Sequence, residues 1–221
     1  MQGDVDFARD LVILGAGGFA REVAWLVKHV NRSGTATWNT LGFWSHDPGQ
    51  IGMTINGLPV VDPRRVAGRS GEVYAVAAIG DPRARERAVD EAVRAGCRFA
   101  TLVHPGVLLD ELTVTIGPGS VICAGCILTT NIAIGSHVIV NLDCTIGHDC
   151  VIEDFATLSP GCHLSGHTTV RRGAYLGTGL VTVEQREIGR DATVGAQAAV
   201  VKDIGAGITA IGVPARPKGA S

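Results

Sequence analysis

The pattern of hydrophobic positions divides the chain into two parts. Up to about residue 103, short apolar runs alternate with stretches in which apolar residues recur at helical spacing. Leu11–Leu14 predicts a buried strand, and Val23, Leu26, Val27 and Val30 mark one face of the helix that follows it. The first part therefore begins as a strand followed by a helix.

Similar signals continue along the first part. Thr40–Trp44, Val73–Ile79 and Phe99–Val103 predict three further strands. Asp81 and Pro82 suit the N-cap and first turn of a helix over residues 83–95. Strands that alternate with helices predict a parallel sheet, so residues 1–103 are expected to form a small α/β domain, half of a Rossmann-like fold.

From residue 104 onwards the apolar positions repeat every six residues. An aliphatic anchor stands at each sixth position from Ile116 to Val200, except at Thr182, and glycine often follows it directly. Periods of 3.6 or 2 do not produce this spacing. It is typical of a left-handed parallel β-helix, in which three hexads form one coil, the anchors point inward, and the Gly or Asx beside each anchor turns the corner. Residues 104–221 are expected to form this second domain, and a β-sandwich is disfavoured.

The same repeat accounts for most of the cysteines. Four of them lie four residues after an anchor, in a slot that elsewhere holds alanine: Cys126, Cys144, Cys150 and Cys162. Cysteine serves there as a small buried hydrophobe. Cys123 and Cys126 have the spacing of half a zinc site, but no second pair completes it, so we expect no metal site and no disulfide.

Composition and charge exclude several classes of function. The 221 residues carry a net charge of −2 without a run of Lys or Arg, which disfavours binding to nucleic acid or to an anionic membrane. No apolar stretch approaches the roughly 20 residues of a membrane span. The first ten residues have no basic segment followed by an apolar one, so no signal peptide and a cytoplasmic location are expected.

A glycine-rich loop between the first strand and helix is a candidate phosphate site. Gly15, Gly17 and Ala20 fit the dinucleotide-binding fingerprint, in which main-chain N–H groups approach a phosphate, and Gly18 belongs to the same loop. A dehydrogenase is disfavoured because the domain is half-sized and only Asp47 follows the second strand as an acid. Gly80 and Asp81 open the next turn of the same kind, where they either face the ligand or merely cap a helix.

Several motifs together resemble one family. They are the stretch from Val140 to Cys150, Ser159-Pro160-Gly161, Leu164-Ser165-Gly166, the stretch from Ile211 to Arg216, and the glycine-rich loop. This combination resembles the sugar acyltransferases typified by sialic acid O-acetyltransferases and by bacterial nucleotide-aminosugar N-acetyltransferases of bacillosamine and perosamine type. The resemblance implies acetyl-CoA as co-substrate, a nucleotide-linked amino sugar held by the N-terminal domain, and a homotrimer with active sites between neighbouring β-helices.

His148 is the candidate catalytic base. It places an imidazole two residues after an anchor, at a coil corner, and histidine can accept the proton that an attacking amine must lose. Asp149 could orient the ring if the corner brings the two side chains together. The resemblance implies that the Gly166 amide stabilises the oxyanion, although Gly166 could equally be only a corner glycine. It also implies acyl-CoA contacts at Ala196 and Lys202, where Lys202 or Arg216 either meets the CoA phosphates or is a solvated surface charge.

Other positions leave alternatives open. Asn141, interpreted as lying on the same face as His148, contacts substrate or His148, or caps a turn. Thr157 replaces a histidine of some relatives, and His163 and His167 are expected to be surface or packing residues. The function expected first is N-acetylation. O-acetylation of a sugar hydroxyl and a non-catalytic nucleotide-sugar-binding protein are the alternatives, and a serine acetyltransferase is disfavoured by the α/β domain.

Overall fold

The N-terminal part forms the expected α/β domain. A computed structural model describes residues 8–66 and 73–219 of the chain, so the absence of a signal peptide, predicted from the first ten residues, falls largely outside the described residues. The strands of this part are β1 (Arg9–Leu14), β2 (Trp38–Trp44), β3 (Thr54–Ile55), β4 (Leu58–Val61), β5 (Val73–Ala77) and β6 (Arg98–Phe99). The helices are α1 (Gly18–Ser33), α2 (Pro63–Val66) and α3 (Pro82–Arg94).

The six strands lie in one sheet in the order β3-β4-β2-β1-β5-β6. All neighbours are parallel except β3 and β4, which form an antiparallel pair. Helix α1 buries the predicted apolar face, and Gly34, which caps its C-terminus, has a φ of 76° that suits glycine. Asp81 caps α3 by accepting a hydrogen bond from the Ala84 N–H at 2.7 Å. The predicted parallel α/β domain is therefore confirmed.

Two details of the first part differ from the prediction. The expected strand Phe99–Val103 is split, because β6 closes the α/β sheet whereas Leu102–Val103 pairs with the second part of the chain. The β3–β4 hairpin was not predicted, although Asn56 and Gly57, both at positive φ, supply a turn signal between its strands. The division of the chain at residues 103 and 104 stays a prediction.

The second part is a solenoid of short strands. In chain order they are β7 (Leu102–Val103), β8 (Leu108–Leu109), β9 (Val114–Ile116), β10 (Val121–Ile122), β11 (Ile127–Leu128), β12 (Ile132–Ile134), β13 (Ile139–Val140), β14 (Thr145–Ile146), β15 (Val151–Ile152), β16 (Thr157–Leu158), β17 (His163–Leu164), β18 (Thr169–Val170), β19 (Tyr175–Leu176), β20 (Val181–Thr182), β21 (Glu187–Ile188), β22 (Thr193–Val194), β23 (Ala199–Val200), β24 (Thr209–Ile211) and β25 (Arg216–Pro217).

These strands form three sheets that run along the solenoid. The first sheet, on which the α/β domain packs, is named the covered sheet and has the order β25-β24-β22-β19-β16-β13-β10-β7. The second sheet has the order β23-β20-β17-β14-β11-β8, and the third sheet has the order β21-β18-β15-β12-β9. Val121 pairs with Ile139 and Ile127 with Thr145, so three hexads make one coil of 18 residues. The β-helix predicted from the repeat is confirmed.

The interior of the solenoid follows the repeat. The anchors from Ile122 to Val200 are buried, including Thr182, whose hydroxyl lies 3.1 Å from that of Thr168. All four cysteines of the predicted slot have no exposed surface, and all six cysteines are free thiols. Their interpretation as small core hydrophobes is therefore confirmed.

The glycines that directly follow the anchors do not turn the corners of the coil, so this prediction was wrong. The corner residue at positive φ stands three positions after the anchor, as at Asp149 and His167, and not directly after it. The glycines beside the anchors are instead required by close stacking of coils. A Cβ at Gly177 would lie 2.5 Å from the Ala196 nitrogen, and one at Gly117 would lie 2.5 Å from the Gly135 carbonyl carbon.

The α/β domain packs on the covered sheet. Outward-facing Val121, Ile139 and Thr157 are buried beneath it, and Val121 belongs to the same apolar cluster as helix α1. Outward positions of the second and third sheets are more exposed, as at Ile127 and Val151. Within residues 8–66 and 73–219, no helix has the length and apolar character to cross a membrane.

Candidate active site

His148 and Asp149 occupy the corner between the second and third sheets. The corner follows β14 and precedes β15, and Asp149 adopts a φ of 59°. This left-handed conformation turns the chain so that adjacent side chains, which diverge on a straight strand, point the same way. The Asp149 Oδ2 lies 2.8 Å from the His148 Nδ1, and the imidazole is half exposed. The corner geometry that the pair requires is present.

The Asp149 carboxylate is shared with neighbouring coils. Asn131 donates to its Oδ1 at 3.2 Å, and the His167 Nε2 lies 3.6 Å from its Oδ2. The hydrogen bond to His148 is the largest of several interactions that lower the pKa of Asp149. Asn131 was not predicted from the sequence, and His167, whose side chain is half exposed, was expected to be a surface or packing residue. Both lie 18 residues from Asp149, so the coil length alone could have placed them beside it.

Gly166 lies directly against the ring of His148. A Cβ at Gly166 would come within 2.5 Å of the His148 Cε1 and Nε2, so only glycine leaves room for the imidazole. Among the described residues, the Gly166 N–H takes part in no hydrogen bond, whereas its carbonyl accepts one from the Gln185 N–H. A free main-chain donor next to an imidazole is an arrangement that can stabilise a developing oxyanion.

The same corner brings together three side chains of the kind that bind metal ions. The ligand atoms of His148, Asp149 and His167 lie within 4.8 Å of one another. Two ligands of a tetrahedral Zn²⁺ stand about 3.3 Å apart, given metal–ligand bonds of about 2.0 Å. The 2.8 Å between His148 and Asp149 is the length of a hydrogen bond. The geometry therefore fits a hydrogen-bonded array.

Lys202 lies on the corner of His148, three coils further along. Because the repeat places Thr130, His148, Gly166, Glu184 and Lys202 at equal steps of 18 residues, they form one column. Strands about 4.8 Å apart put Lys202 about 14 Å from His148 along the solenoid. Lys202 and Arg216 line one cavity at the end of the solenoid. Ala196 is exposed on a different corner, between the covered and second sheets.

Asn141 does not share the corner of His148, in contrast to the prediction. It follows β13 of the covered sheet, one hexad earlier, and so belongs to the neighbouring corner of the same coil. Its Oδ1 accepts from the adjacent Leu142 N–H at 2.8 Å, which is the turn-capping alternative. Thr157 is buried and donates to the Gly80 carbonyl at 2.8 Å.

The glycine-rich loop lies at the carboxyl edge of the α/β sheet. The loops after β1, β2 and β5 carry Gly15–Gly18, Asp47 and Gly80–Asp81, and these strands are neighbours in the order β2-β1-β5. Gly15 has a φ of 103°, and a Cβ there would lie 3.2 Å from Ile79. Ligands of open parallel sheets bind at such edges, where strand order reverses. The sheet thus brings the predicted loops to one edge.

Asp47 and Asp81 make local hydrogen bonds at this edge. The Asp47 Oδ1 accepts from the Gly49 N–H at 2.9 Å, and Asp81 caps helix α3. A Cβ added at Gly17 or at Gly80 would have no other atom of the described residues within 4 Å, apart from its chain neighbours. The main chain at both glycines is therefore open to a ligand.

Comparisons with known proteins agree with this architecture. The profile of the PglD N-terminal domain family matches residues 10–92. GDP-perosamine N-acetyltransferase from Escherichia coli is 30% identical over 211 residues, covering 92% of this chain and 94% of that protein.

Two solved structures match across almost the whole chain. The acetyltransferase domain of PglB from Neisseria gonorrhoeae, in complex with acetyl coenzyme A, is similar with a TM-score of 0.85, 32% identity, and coverage of 95% of this chain and 99% of that one. PerB from Caulobacter crescentus, in complex with CoA and GDP-perosamine, gives a TM-score of 0.84, 30% identity, and coverage of 95% and 97%.

Proposed function

Because the chain belongs to the family of nucleotide-aminosugar N-acetyltransferases that includes GDP-perosamine N-acetyltransferase, we propose that it transfers the acetyl group of acetyl-CoA to the amino group of a nucleotide-linked amino sugar. The observation that carries this proposal is the hydrogen-bonded pair of His148 and Asp149 at an open corner of the solenoid. The pair supplies a base whose orientation is fixed, and it lies next to an unused main-chain donor.

His148 acts as the general base. When its Nδ1–H donates to Asp149, its Nε2 carries the lone pair and can accept a proton. The sugar amine attacks the thioester carbonyl carbon while its proton passes to Nε2. The C–S bond then breaks, and the imidazolium returns the proton to the departing CoA thiolate. Asp149 stabilises the imidazolium between these two events.

The other site residues bind the two substrates. The Gly166 N–H donates to the oxyanion of the tetrahedral intermediate. Lys202, farther along the same column, meets a phosphate of CoA whose thioester lies at His148. Ala196, on the next corner, lines the acyl-CoA groove as the resemblance implies.

The nucleotide-linked sugar binds at the edge of the α/β sheet. Gly15, Gly17 and Gly18 bring main-chain N–H groups to its phosphates, and Gly80 and Asp81 line the same crevice. Asp47 contacts the base or the sugar, and Asn141 contacts the substrate from its own corner.

The assembly is a homotrimer in the cytoplasm. Three outward-facing positions of the second sheet are apolar and exposed, at Leu108, Ile127 and Val181. They lie on the coils before and after the polar pair of Thr145 and His163, in the sheet that leads to the corner of His148. A neighbouring solenoid packed on this surface would bury them and enclose the site between subunits. Six free cysteines suit the reducing conditions of the cytoplasm.

Release of CoA from acetyl-CoA tests the reaction directly. Purified protein is assayed with UDP-, GDP- and dTDP-linked amino sugars, and we expect strong release with one nucleotide class. Treating the purified product with alkaline hydroxylamine, which cleaves oxygen esters but not amides, identifies the acylated atom. His148→Ala should abolish transfer while leaving nucleotide-sugar binding measurable by calorimetry. Absence of release with every acceptor contradicts the proposal, and a hydroxylamine-labile product would establish O-acetylation instead.

A further inference from the structure

Arg85 is a buried cation between the two parts of the molecule. It lies on α3, its side chain has 0% exposure, and its guanidinium uses all five of its N–H groups. Nε donates to the His137 carbonyl at 2.9 Å, Nη1 to the carbonyls of Ile79 at 2.7 Å and Gly80 at 3.1 Å, and Nη2 to those of Phe155 at 2.6 Å and Ala156 at 3.1 Å. Every acceptor is a main-chain oxygen.

These five acceptors belong to two different structures. Ile79 and Gly80 form the loop after β5, at the edge of the α/β sheet, whereas His137, Phe155 and Ala156 lie on two successive coils of the solenoid. The Thr157 hydroxyl, also on the solenoid, donates to the same Gly80 carbonyl. The loop after β5 is therefore held directly to the solenoid, at a distance fixed by two side chains.

The buried charge also favours an anion at this loop. Burial lowers the pKa of Arg85 to about 9, so the side chain is still a cation at neutral pH. None of its hydrogen bonds within the described part of the chain goes to a carboxylate, and the nearby charge of Asp81 only partly opposes the effect of burial on its pKa. A buried charge that is only partly compensated is costly. An anionic group bound at Gly80 would offset that charge, as would the diphosphate of a nucleotide-linked sugar.

We propose that Arg85 is a positioning residue for acetyl transfer, which fixes the loop of Gly80, and with it the nucleotide-linked sugar, relative to the solenoid that carries His148. This inference rests on the function proposed above. It predicts that loosening the link displaces the amine from the base without disturbing acetyl-CoA, which binds along the solenoid. Misplacement by about 1 Å can reduce catalysis by about a hundredfold.

Steady-state kinetics test this role, with acetyl-CoA and whichever of the UDP-, GDP- and dTDP-linked amino sugars gives the strongest release of CoA. Arg85→Lys retains the charge but not the five-donor geometry, and Arg85→Met loses both. We expect the KM for the sugar nucleotide to rise, so that its kcat/KM falls by about tenfold or more in Arg85→Lys and further in Arg85→Met, with the KM for acetyl-CoA unchanged. In Thr157→Val, kcat/KM for the sugar nucleotide should fall by about fivefold, as expected for the loss of one hydrogen bond.

The exposed Arg87 on the same helix provides the matched control, since Arg87→Met should retain wild-type kinetics. A purely structural Arg85 would lower thermal stability and kcat while leaving both KM values unchanged, and this result would overturn the proposal. If the Arg85 variants do not fold, the kinetics of Thr157→Val test the proposal in their place. Wild-type kinetics in Thr157→Val would overturn the proposal. A wild-type protein that transfers no acetyl group would refute the proposed function, and this inference with it.

Discussion

At the residue scale, the His148 ring and the residue at position 166 depend on each other sterically as well as chemically. The imidazole occupies the space that any side chain at position 166 would need. Because the His148 ring is half exposed, it can rotate away from an added methyl group at little cost in stability. Gly166 is thereby required for the orientation of the base, in addition to its proposed donor role.

Gly166→Ala should separate activity from stability. The new Cβ would lie 2.5 Å from the His148 Cε1, so the ring must leave its place and the hydrogen bond to Asp149 is disturbed. We expect kcat to fall by about a hundredfold, as for other lost elements of an oriented active site. The melting temperature should change little. A variant with wild-type kcat would show that the ring is not held against Gly166 during catalysis.

At the element scale, the six-residue repeat predicted far more than local structure. Because each coil repeats the one before it, the number of a residue indicates both its corner and its position along the solenoid axis. This relation places Lys202 on the column of His148. The repeat also predicted the buried cysteines. It failed where an element is irregular or depends on docking. The Asn56-Gly57 hairpin lies outside the repeat, and the five acceptors of Arg85 come together only when the α/β domain packs on the covered sheet.

The glycines that follow the anchors should be sensitive to an added methyl group. In Gly177→Ala the Cβ would lie 2.5 Å from the Ala196 nitrogen and 2.8 Å from the Gly195 carbonyl carbon, both in the rigid main chain of the next coil. We expect the free energy of unfolding to fall by about 1–3 kcal/mol, as in other overpacked interiors. Chemical denaturation measures the change.

Gly205→Ala is the control for that substitution. The nearest atom to its Cβ would be the Ile208 Cγ1 at 3.4 Å, an ordinary van der Waals contact, so its unfolding should resemble that of the wild type. Equal stability of Gly177→Ala and Gly205→Ala would mean that close stacking of coils does not require glycine.

At the scale of the whole molecule, the proposed trimer rests on the second sheet. Ile127→Glu places a charge among exposed apolar side chains, where a neighbouring subunit would have to bury it. We expect the mass measured by light scattering to fall from about three times the 22.9 kDa chain to that of one chain, with loss of acetyl transfer. Val93→Glu, on the outer face of α3, should remain a trimer. A trimeric Ile127→Glu protein would move the interface to another surface.

The junction between the two parts should make the molecule sensitive to acid. His137 is buried there, with its ring stacked on Phe155 and edge-on to Phe99. Burial, aided by the nearby charges of Arg85 and Arg172 and opposed by Asp154, lowers the pKa of His137 to about 4. The unfolded chain, with an ordinary pKa of 6.5, therefore binds this proton more readily than the folded protein does.

The sign of the pH dependence follows from that difference. The stabilisation is complete above pH 6.5 and is lost progressively as the pH falls to about 4, because protons then favour the unfolded chain. The shift corresponds to about 3 kcal/mol at most. His137→Asn removes the titrating group, and asparagine tolerates the φ of 56° at this position. In this variant the unfolding free energy should decrease less than in the wild type between pH 6.5 and about 4. Exposed His163→Asn controls for loss of an imidazole, and a slope equal to that of the wild type in His137→Asn would show that the junction does not keep His137 neutral.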